Sequence, residues 1–194
     1  MSKKIGVVGL GAMGLGMAGS LRRAGYEVHV CDIRKQAAQD FVKDGGVAHD
    51  TPTDLAKHVD IIVGVVVNAD QTEALLFGDQ GAANTMSKGS LYIMCSTVDP
   101  NWSIALEKRL NDLGLLYLDA PISGGAAKAA SGQMTIMSAG SPLAYEKAGD
   151  ALDSMAAKVY KLGDQAGAGS KVKIINQLLA GVHIAAAAEA MALG

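Results

Sequence analysis

Val7-Val8-Gly9-Leu10-Gly11-Ala12-Met13-Gly14 is the stretch from which the rest of the chain can be read. An apolar run leads into it and a helical pattern leaves it, so its three glycines fall on a strand-to-helix turn. Gly9 there permits a tight turn, Gly11 lets a ligand approach the backbone, and Gly14 lets the helix lie close on the strand. The exposed N–H groups and the dipole of a helix start attract phosphate. Glycines at this spacing also arise by chance. Here, however, a second strand follows and ends in Asp32, at about the 20-residue offset of an acid that binds an adenosine ribose. The stretch reads as a dinucleotide site made by Gly9, Leu10, Gly11, Ala12, Met13, Gly14, Asp32 and Ile33. A carboxylate at position 32 would repel the extra phosphate of NADP, so the expected cofactor is NAD. Arg34 lies close enough to pair with such a phosphate, or it is simply a solvated residue at a helix start.

Outward from this turn, short apolar runs alternate with helical stretches. Strands are expected at 4–10, 27–31, 60–67, 91–95, 115–119, 133–138 and 158–162, with a weaker one near Val47. Helices are expected at 13–24, 34–43, 53–57, 69–76, 101–113 and 142–155. The run Ile61-Ile62-Val63-Gly64-Val65-Val66-Val67 is apolar on both faces, as a strand covered on both sides should be. The fold class that follows is α/β, a Rossmann-type doubly wound and mostly parallel sheet. From Gly169 onward there is no proline, and 169–194 reads as one long helix. Its segment 178–193 is apolar almost all round, which demands burial by a partner subunit or by further chain. The expected organisation is a nucleotide-binding domain at 1–165 and, at 166–194, the helix that begins an all-α domain.

The bulk composition agrees and excludes several classes. Among 194 residues, 49% are hydrophobic and 19% charged, enough apolar residue for a core and too little charge for disorder. The formal charge is −2 with scattered basic residues, so no basic face for nucleic acid is expected. No apolar run reaches the roughly 18–20 residues of a membrane span, and no membrane partner is expected. The basic start Met1-Ser2-Lys3-Lys4 is not followed by an export signal. Cys31 and Cys95 each sit in a strand-like run and read as buried reduced thiols, which suits the cytosol. His29, His49, His58 and His183 have no ligand spacing, and no metal site is expected; His183 reads as a core or interface residue.

Three further segments fall at strand ends or a helix start. Asp119-Ala120-Pro121-Ile122-Ser123-Gly124-Gly125 offers a hydroxyl and unshielded backbone N–H groups, a cradle for a carboxylate. An ordinary strand-to-helix turn has the same spacing. In Gly167-Ala168-Gly169-Ser170-Lys171-Val172-Lys173-Ile174-Ile175-Asn176-Gln177, Lys173 and Asn176 share a helix face, with Gln177 beside them. A desolvated Lys can take the proton of an alcohol during oxidation, because burial lowers its pKa toward working pH; both lysines could equally be surface residues. Cys95-Ser96-Thr97-Val98-Asp99-Pro100 would face the same crevice, unless Thr97 or Asp99 merely caps the next helix.

Taken together these segments resemble the β-hydroxyacid dehydrogenase family, which includes 3-hydroxyisobutyrate dehydrogenases and tartronate semialdehyde reductases. The resemblance runs through Gly9–Gly14 with Met17-Ala18, Ser96-Thr97 with Pro100, Asp119 to Gly125, and Gly167, Gly169, Lys173 and Asn176. It implies that Lys173 is catalytic and that Ser123, Gly124, Gly125, Asn176 and Gln177 bind a small hydroxy acid. It also implies that Val66, Val67, Asn68 and Thr97 face the cofactor. Asp32-Ile33 stands where many members have Asn-Arg, which strengthens the expectation of NAD. Gln177, the Val66-Val67-Asn68-Ala69 segment and 178–185 look like the branch that oxidises L-threonate at its 2-hydroxyl. Members continue for roughly a hundred further residues into an all-helical domain, so the chain is expected to be part of a longer enzyme and a homo-oligomer. A non-catalytic NAD sensor would share the glycine turn and Asp32 but would not need Ser123, Lys173 and Asn176 together. An imine reductase on the same architecture is disfavoured by Lys173.

Overall fold

A computed structural model describes residues 3–194; Met1 and Ser2, part of the basic start considered above, lie outside the described residues. Among the described residues nine strands and nine helices follow in the order β1 (Lys4–Val8), α1 (Ala12–Arg23), β2 (Glu27–Cys31), α2 (Lys35–Lys43), β3 (Val47–Ala48), α3 (Pro52–Ala56), β4 (Ile61–Gly64), α4 (Ala69–Phe77) and β5 (Leu91–Met94). The order continues with α5 (Pro100–Asp112), β6 (Leu116–Asp119), β7 (Ile122–Ser123), α6 (Gly125–Ser131), β8 (Met134–Ser138), α7 (Pro142–Ala148), α8 (Ala151–Met155), β9 (Ala156–Lys161) and α9 (Ala168–Leu193).

Six strands form one parallel sheet in the order β3-β2-β1-β4-β5-β6. The chain steps outward from β1 to β3, crosses back, and steps outward again from β4 to β6. The two halves diverge between β1 and β4, and ligands of such sheets sit beyond the strand ends at that point. Hydrophobic cores cover both faces, which is why the strands are continuous apolar runs. On β5, Leu91 and Ile93 join one core, whereas Tyr92 and Met94 join the other. The doubly wound α/β fold expected from the sequence is the fold observed.

Three features differ from the expectation. The segments at 133–138 and 158–162 do not join the parallel sheet; β8 and β9 build a second, three-stranded sheet, with β7 antiparallel to β8 and β9 parallel to it. Asp119 and Ala139 link the two sheets by paired backbone hydrogen bonds of 3.0 and 2.8 Å. The helix expected over 142–155 is split into α7 and α8 around Gly149, a residue that ends helices readily because it carries no Cβ. Helix α6 was not expected at all; it packs on α1 where Gly16 admits the Ala129-Ala130 backbone, with no room for a Cβ.

Helix α9 holds the sheet only through its first turn. Gly169, Ser170 and Lys173 are its buried residues, and beyond them Leu178, Ile184 and Leu193 are 66%, 72% and 94% exposed in this chain. At 26 residues, with an 18-residue window of mean hydropathy 1.3, it is long and apolar enough by length and composition to cross a membrane. That corrects the expectation that nothing here reaches such a length. The apolar character of α9 is spread among Lys171, Lys173, Asn176, Gln177 and Glu189, which hide it from a search for a single apolar run.

Candidate functional site

The start of α1 is an open anion site. Gly9 adopts φ +95°, and a Cβ on it would lie 2.4 Å from the Val65 carbonyl oxygen; a Cβ on Gly14 would lie 1.8 Å from the Gly9 oxygen. These two glycines are therefore set by the turn and by the packing of helix on strand. Gly11 differs, because nothing lies within 4 Å of where its Cβ would stand. Its lack of a side chain leaves open space in front of the helix. No side chain caps α1, and the N–H groups of its first turn have no acceptor four residues back. A pyrophosphate fits that description: space, donors and a positive helix end.

Asp32 is tied into the same turn. One of its carboxylate oxygens accepts from the Leu10 N–H at 2.5 Å, the other from the Arg34 N–H at 2.7 Å and from Arg34 Nε at 3.3 Å. Arg34 Nη2 closes the loop on the Leu10 carbonyl at 2.8 Å. Arg34, exposed at the start of α2, is thus also a brace between Asp32 and the glycine turn. The Leu10 N–H is consumed here, and the Gly9 N–H donates to the Cys31 carbonyl at 2.9 Å, so phosphate donors must come from residues 11–14. A carboxylate has lone pairs for more than these bonds, which leaves Asp32 able to accept from a ribose hydroxyl. It borders a cavity of about 490 Å³ with Gly9, Ile33, Val66 and Val67. Asp50, Pro52, Gln71 and Gln80 also line it. The sequence reading missed those four because they come from two loops, the start of α3 and α4, without a motif of their own.

The second half of the groove is a cavity of about 270 Å³, lined by Gly11 to Gly14, Val65 to Val67, Ser96, Thr97, Ile122, Lys173 and Gln177. The glycine turn and the late helix therefore meet across one space. Lys173 is 6% exposed, and Nζ donates to Gln177 Oε1 at 3.0 Å. Burial holds its pKa below the ordinary 10.5, and no carboxylate pairs with it. An amine in this state gives up its proton more readily than a surface lysine. Cys95 also lines this cavity, but burial pushes its thiol up to about 12, and Cys31 on the ribose side is pushed up to about 11. Both are free and buried thiols, unsuited to nucleophilic work near neutral pH.

Not every expected site residue comes to this space. Ser123 and Asn176 face each other across a neighbouring cavity of about 360 Å³ with Thr135, Met137 and Tyr160. Residues 173 and 177 line one cavity and residues 172 and 176 the next, so the wall between the two spaces falls among side chains that are neighbours around α9. Gly124 and Gly125 line neither cavity; they form the start of the short α6. Asn68 caps α4, its side chain accepting from the Gln71 N–H at 3.0 Å, and it is not among the residues lining the two cavities of the groove. The cap of α5 is Asp99, at 2.8 and 3.2 Å from two backbone N–H groups, which leaves Thr97 on the cavity wall.

The histidines held a surprise. His29, His49 and His58 stack with ring centroids 5.0 to 5.7 Å apart, and His29 Nδ1 lies 2.8 Å from His49 Nε2. They come from β2 and from the loops after β3 and α3, so no spacing reveals them. Among the described residues no group of three His, Cys, Asp or Glu side chains has the geometry to hold a metal ion. His183, expected in a core or interface, is exposed on α9 in this chain.

An open helix start beneath a doubly wound sheet, with an acid on the second strand, defines a dinucleotide-binding domain. The family model describing the NAD binding domain of 6-phosphogluconate dehydrogenase matches residues 4–163, and the chain belongs to that family. It is 59% identical to an L-threonate dehydrogenase of Cupriavidus necator over 194 residues, covering 100% of this chain and 65% of that one. It is 47% identical to an L-threonate dehydrogenase of Pectobacterium atrosepticum, over 97% of this chain and 62% of that one. A solved structure described as 3-hydroxyisobutyrate dehydrogenase from Salmonella typhimurium superposes with a TM-score of 0.94 at 46% identity, covering 99% of this chain and 67% of that one. The chain thus spans 65% and 62% of the length of those two curated relatives.

Proposed function

We propose that the protein is the cofactor-binding part of an NAD-dependent dehydrogenase that oxidises a small hydroxy acid, and that the acid is L-threonate, converted to 2-dehydro-L-erythronate. One observation carries the reading: a buried amine, Lys173, shares a cavity with the open start of α1. When bound, NAD supplies the acceptor for the hydride lost from C2 of the acid. The chain supplies the rest. The N–H groups at residues 11–14 hold the pyrophosphate, Asp32 accepts from the adenosine ribose, and Val66, Val67 and Thr97 wall the groove. Lys173, entering as a neutral amine, takes the proton of the 2-hydroxyl as the C–H bond breaks, and later releases it to water. Gln177 orients that amine. Ser123, Gly124 and Gly125 are assigned to the substrate carboxylate, and Asn176 to a hydroxyl.

The choice of L-threonate is supported by the two relatives of that name. A neighbouring reading, a different three- or four-carbon hydroxy acid, is supported by relatives at 35% and 32% identity described as an L-serine and a 3-hydroxyisobutyrate dehydrogenase of Pseudomonas aeruginosa. We assign residues 1–165 to the nucleotide-binding domain and 166–194 to a helix whose apolar surface is covered by the remainder of the enzyme and by a second subunit. Unpaired buried thiols favour a reducing compartment, the cytoplasm. The test is NADH absorbance with the full-length protein, NAD and separately L-threonate, 3-hydroxyisobutyrate, L-serine and D-glycerate. Fastest turnover of L-threonate is expected. Tight NAD binding with no turnover of any acid would replace the enzyme reading with a sensor.

A further inference from the structure

We propose that Asp119 is a positioning residue that sets the place of Lys173 over the cofactor groove by plugging the start of α9 with a carboxylate from the sheet. The inference rests on the catalytic reading of Lys173 given above. Asp119 and Ser170 are both fully buried. One carboxylate oxygen of Asp119 accepts from the Gly167 N–H at 2.8 Å and the Ser170 N–H at 2.9 Å; the other accepts from Ser170 Oγ at 2.7 Å. The helix approaches so closely that Gly169 has no room for a Cβ, which would meet the Met137 oxygen at 2.5 Å and the Asp119 oxygen at 2.8 Å. Gly167 turns the chain into the helix at φ +100°.

A helix start needs an acceptor, and a side chain within its own sequence normally provides one. Such a local cap would leave the helix free to slide on the sheet. Here the acceptor comes from 48 residues earlier in sequence, at the end of β6. Asp119 is itself fixed, through backbone bonds to Ala139 on one side and the β5 register on the other. The plug therefore refers α9 to the same strand ends that carry the glycine turn. Lys173 follows Ser170 by three residues, on the same face and about 4.5 Å further along the helix. Burial raises the pKa of Asp119, so the carboxylate is kept there at a cost in solvation. Glu107, whose pKa is also raised by burial, accepts from the Ala166 N–H at 3.1 Å and adds a second tie from α5. Tyr117, two residues earlier on β6, is bonded through its hydroxyl to Ser103, at 2.9 Å.

The test uses full-length protein carrying Asp119→Asn or Ser170→Ala. The first readout needs neither cofactor nor turnover: the rate at which an acylating reagent labels Lys173, relative to exposed Lys171 on the same helix, by mass spectrometry. Asp119→Asn is expected to raise that ratio about fivefold, because a loosened first turn opens to solvent. The second readout is kcat per NADH-binding site against KM for NAD. An amine displaced by a fraction of an ångström should lower kcat about tenfold and leave KM for NAD within about twofold. Ser170→Ala removes a single bond, and both readouts should move the same way by about twofold, which decides the matter even where Asp119→Asn does not fold. An unchanged labelling ratio in a folded variant overturns the proposal. So does normal kcat per site with only a lowered Tm, the mark of a purely structural cap. Equal turnover by wild type and Lys173→Ala would instead sink the catalytic reading, and the labelling ratio would still judge the anchor.

Discussion

The glycine-rich starts of α1 and α9 are finished in opposite ways. At α1 no side chain caps the helix and the space before Gly11 is empty of protein. At α9 a buried carboxylate fills the equivalent position and takes three hydrogen bonds. Similar runs of glycine thus serve a ligand in one case and a tertiary joint in the other. Glycine spacing alone cannot tell them apart; the neighbour that supplies, or withholds, the anion does. Helix α4 shows the third and commonest solution, a cap by its own Asn68.

The largest effect should come from the amine that the plugged start holds. Lys173→Ala is expected to lower kcat about a thousandfold while NAD affinity stays within about twofold, read by initial rates and by NADH fluorescence titration. A parallel loss of NAD affinity would mean that the two starts are not separable. Next, Gly11→Asp converts the open start into a plugged one. The new carboxylate caps α1 and repels phosphate, so NAD should bind about a hundredfold more weakly while Tm does not fall. Retained affinity would show that the pyrophosphate rests elsewhere.

The proton behaviour gives a smaller but directional effect. Oxidation needs Lys173 neutral, and its pKa lies below the ordinary 10.5. The rate of oxidation should therefore rise with pH until that depressed pKa is passed and then level off, while the reverse reduction falls over the same range. A flat profile with wild-type protein would remove Lys173 from the proton transfer. Smallest of all, Asn68→Ala should cost about 1 kcal/mol in denaturant unfolding and leave NAD affinity unchanged, since that side chain caps α4 and does not line the groove.

Much of the fold could be read from the sequence because it is locally encoded. The strands of the parallel sheet are apolar on both faces, and Gly9, Gly14 and Asp32 obey spacings set by one turn and one crossover. What stayed hidden is what depends on distant residues. Strand β7 has two residues and α6 seven, too short for a period to show. The bond from Asp119 to Ser170 spans 51 positions, and the stack of His29, His49 and His58 joins three separate elements. Lys173 was legible as a lysine on a helix, and its importance came from resemblance; only the fold shows it buried beside the glycine turn. That Lys173, Asn176 and Gln177 lie close together around α9 was implicit in the helical period. That 173 and 177 would line one cavity and 172 and 176 the next was not.

The most direct measurement is a crystal structure of the full-length protein with NAD and a slowly reacting hydroxy acid. The pyrophosphate should lie against the N–H groups of residues 11–14, with Lys173 Nζ within hydrogen-bond distance of the acid's hydroxyl. Phosphates seated away from α1, or an amine turned out to solvent while Asp119 still grips α9, would contradict it.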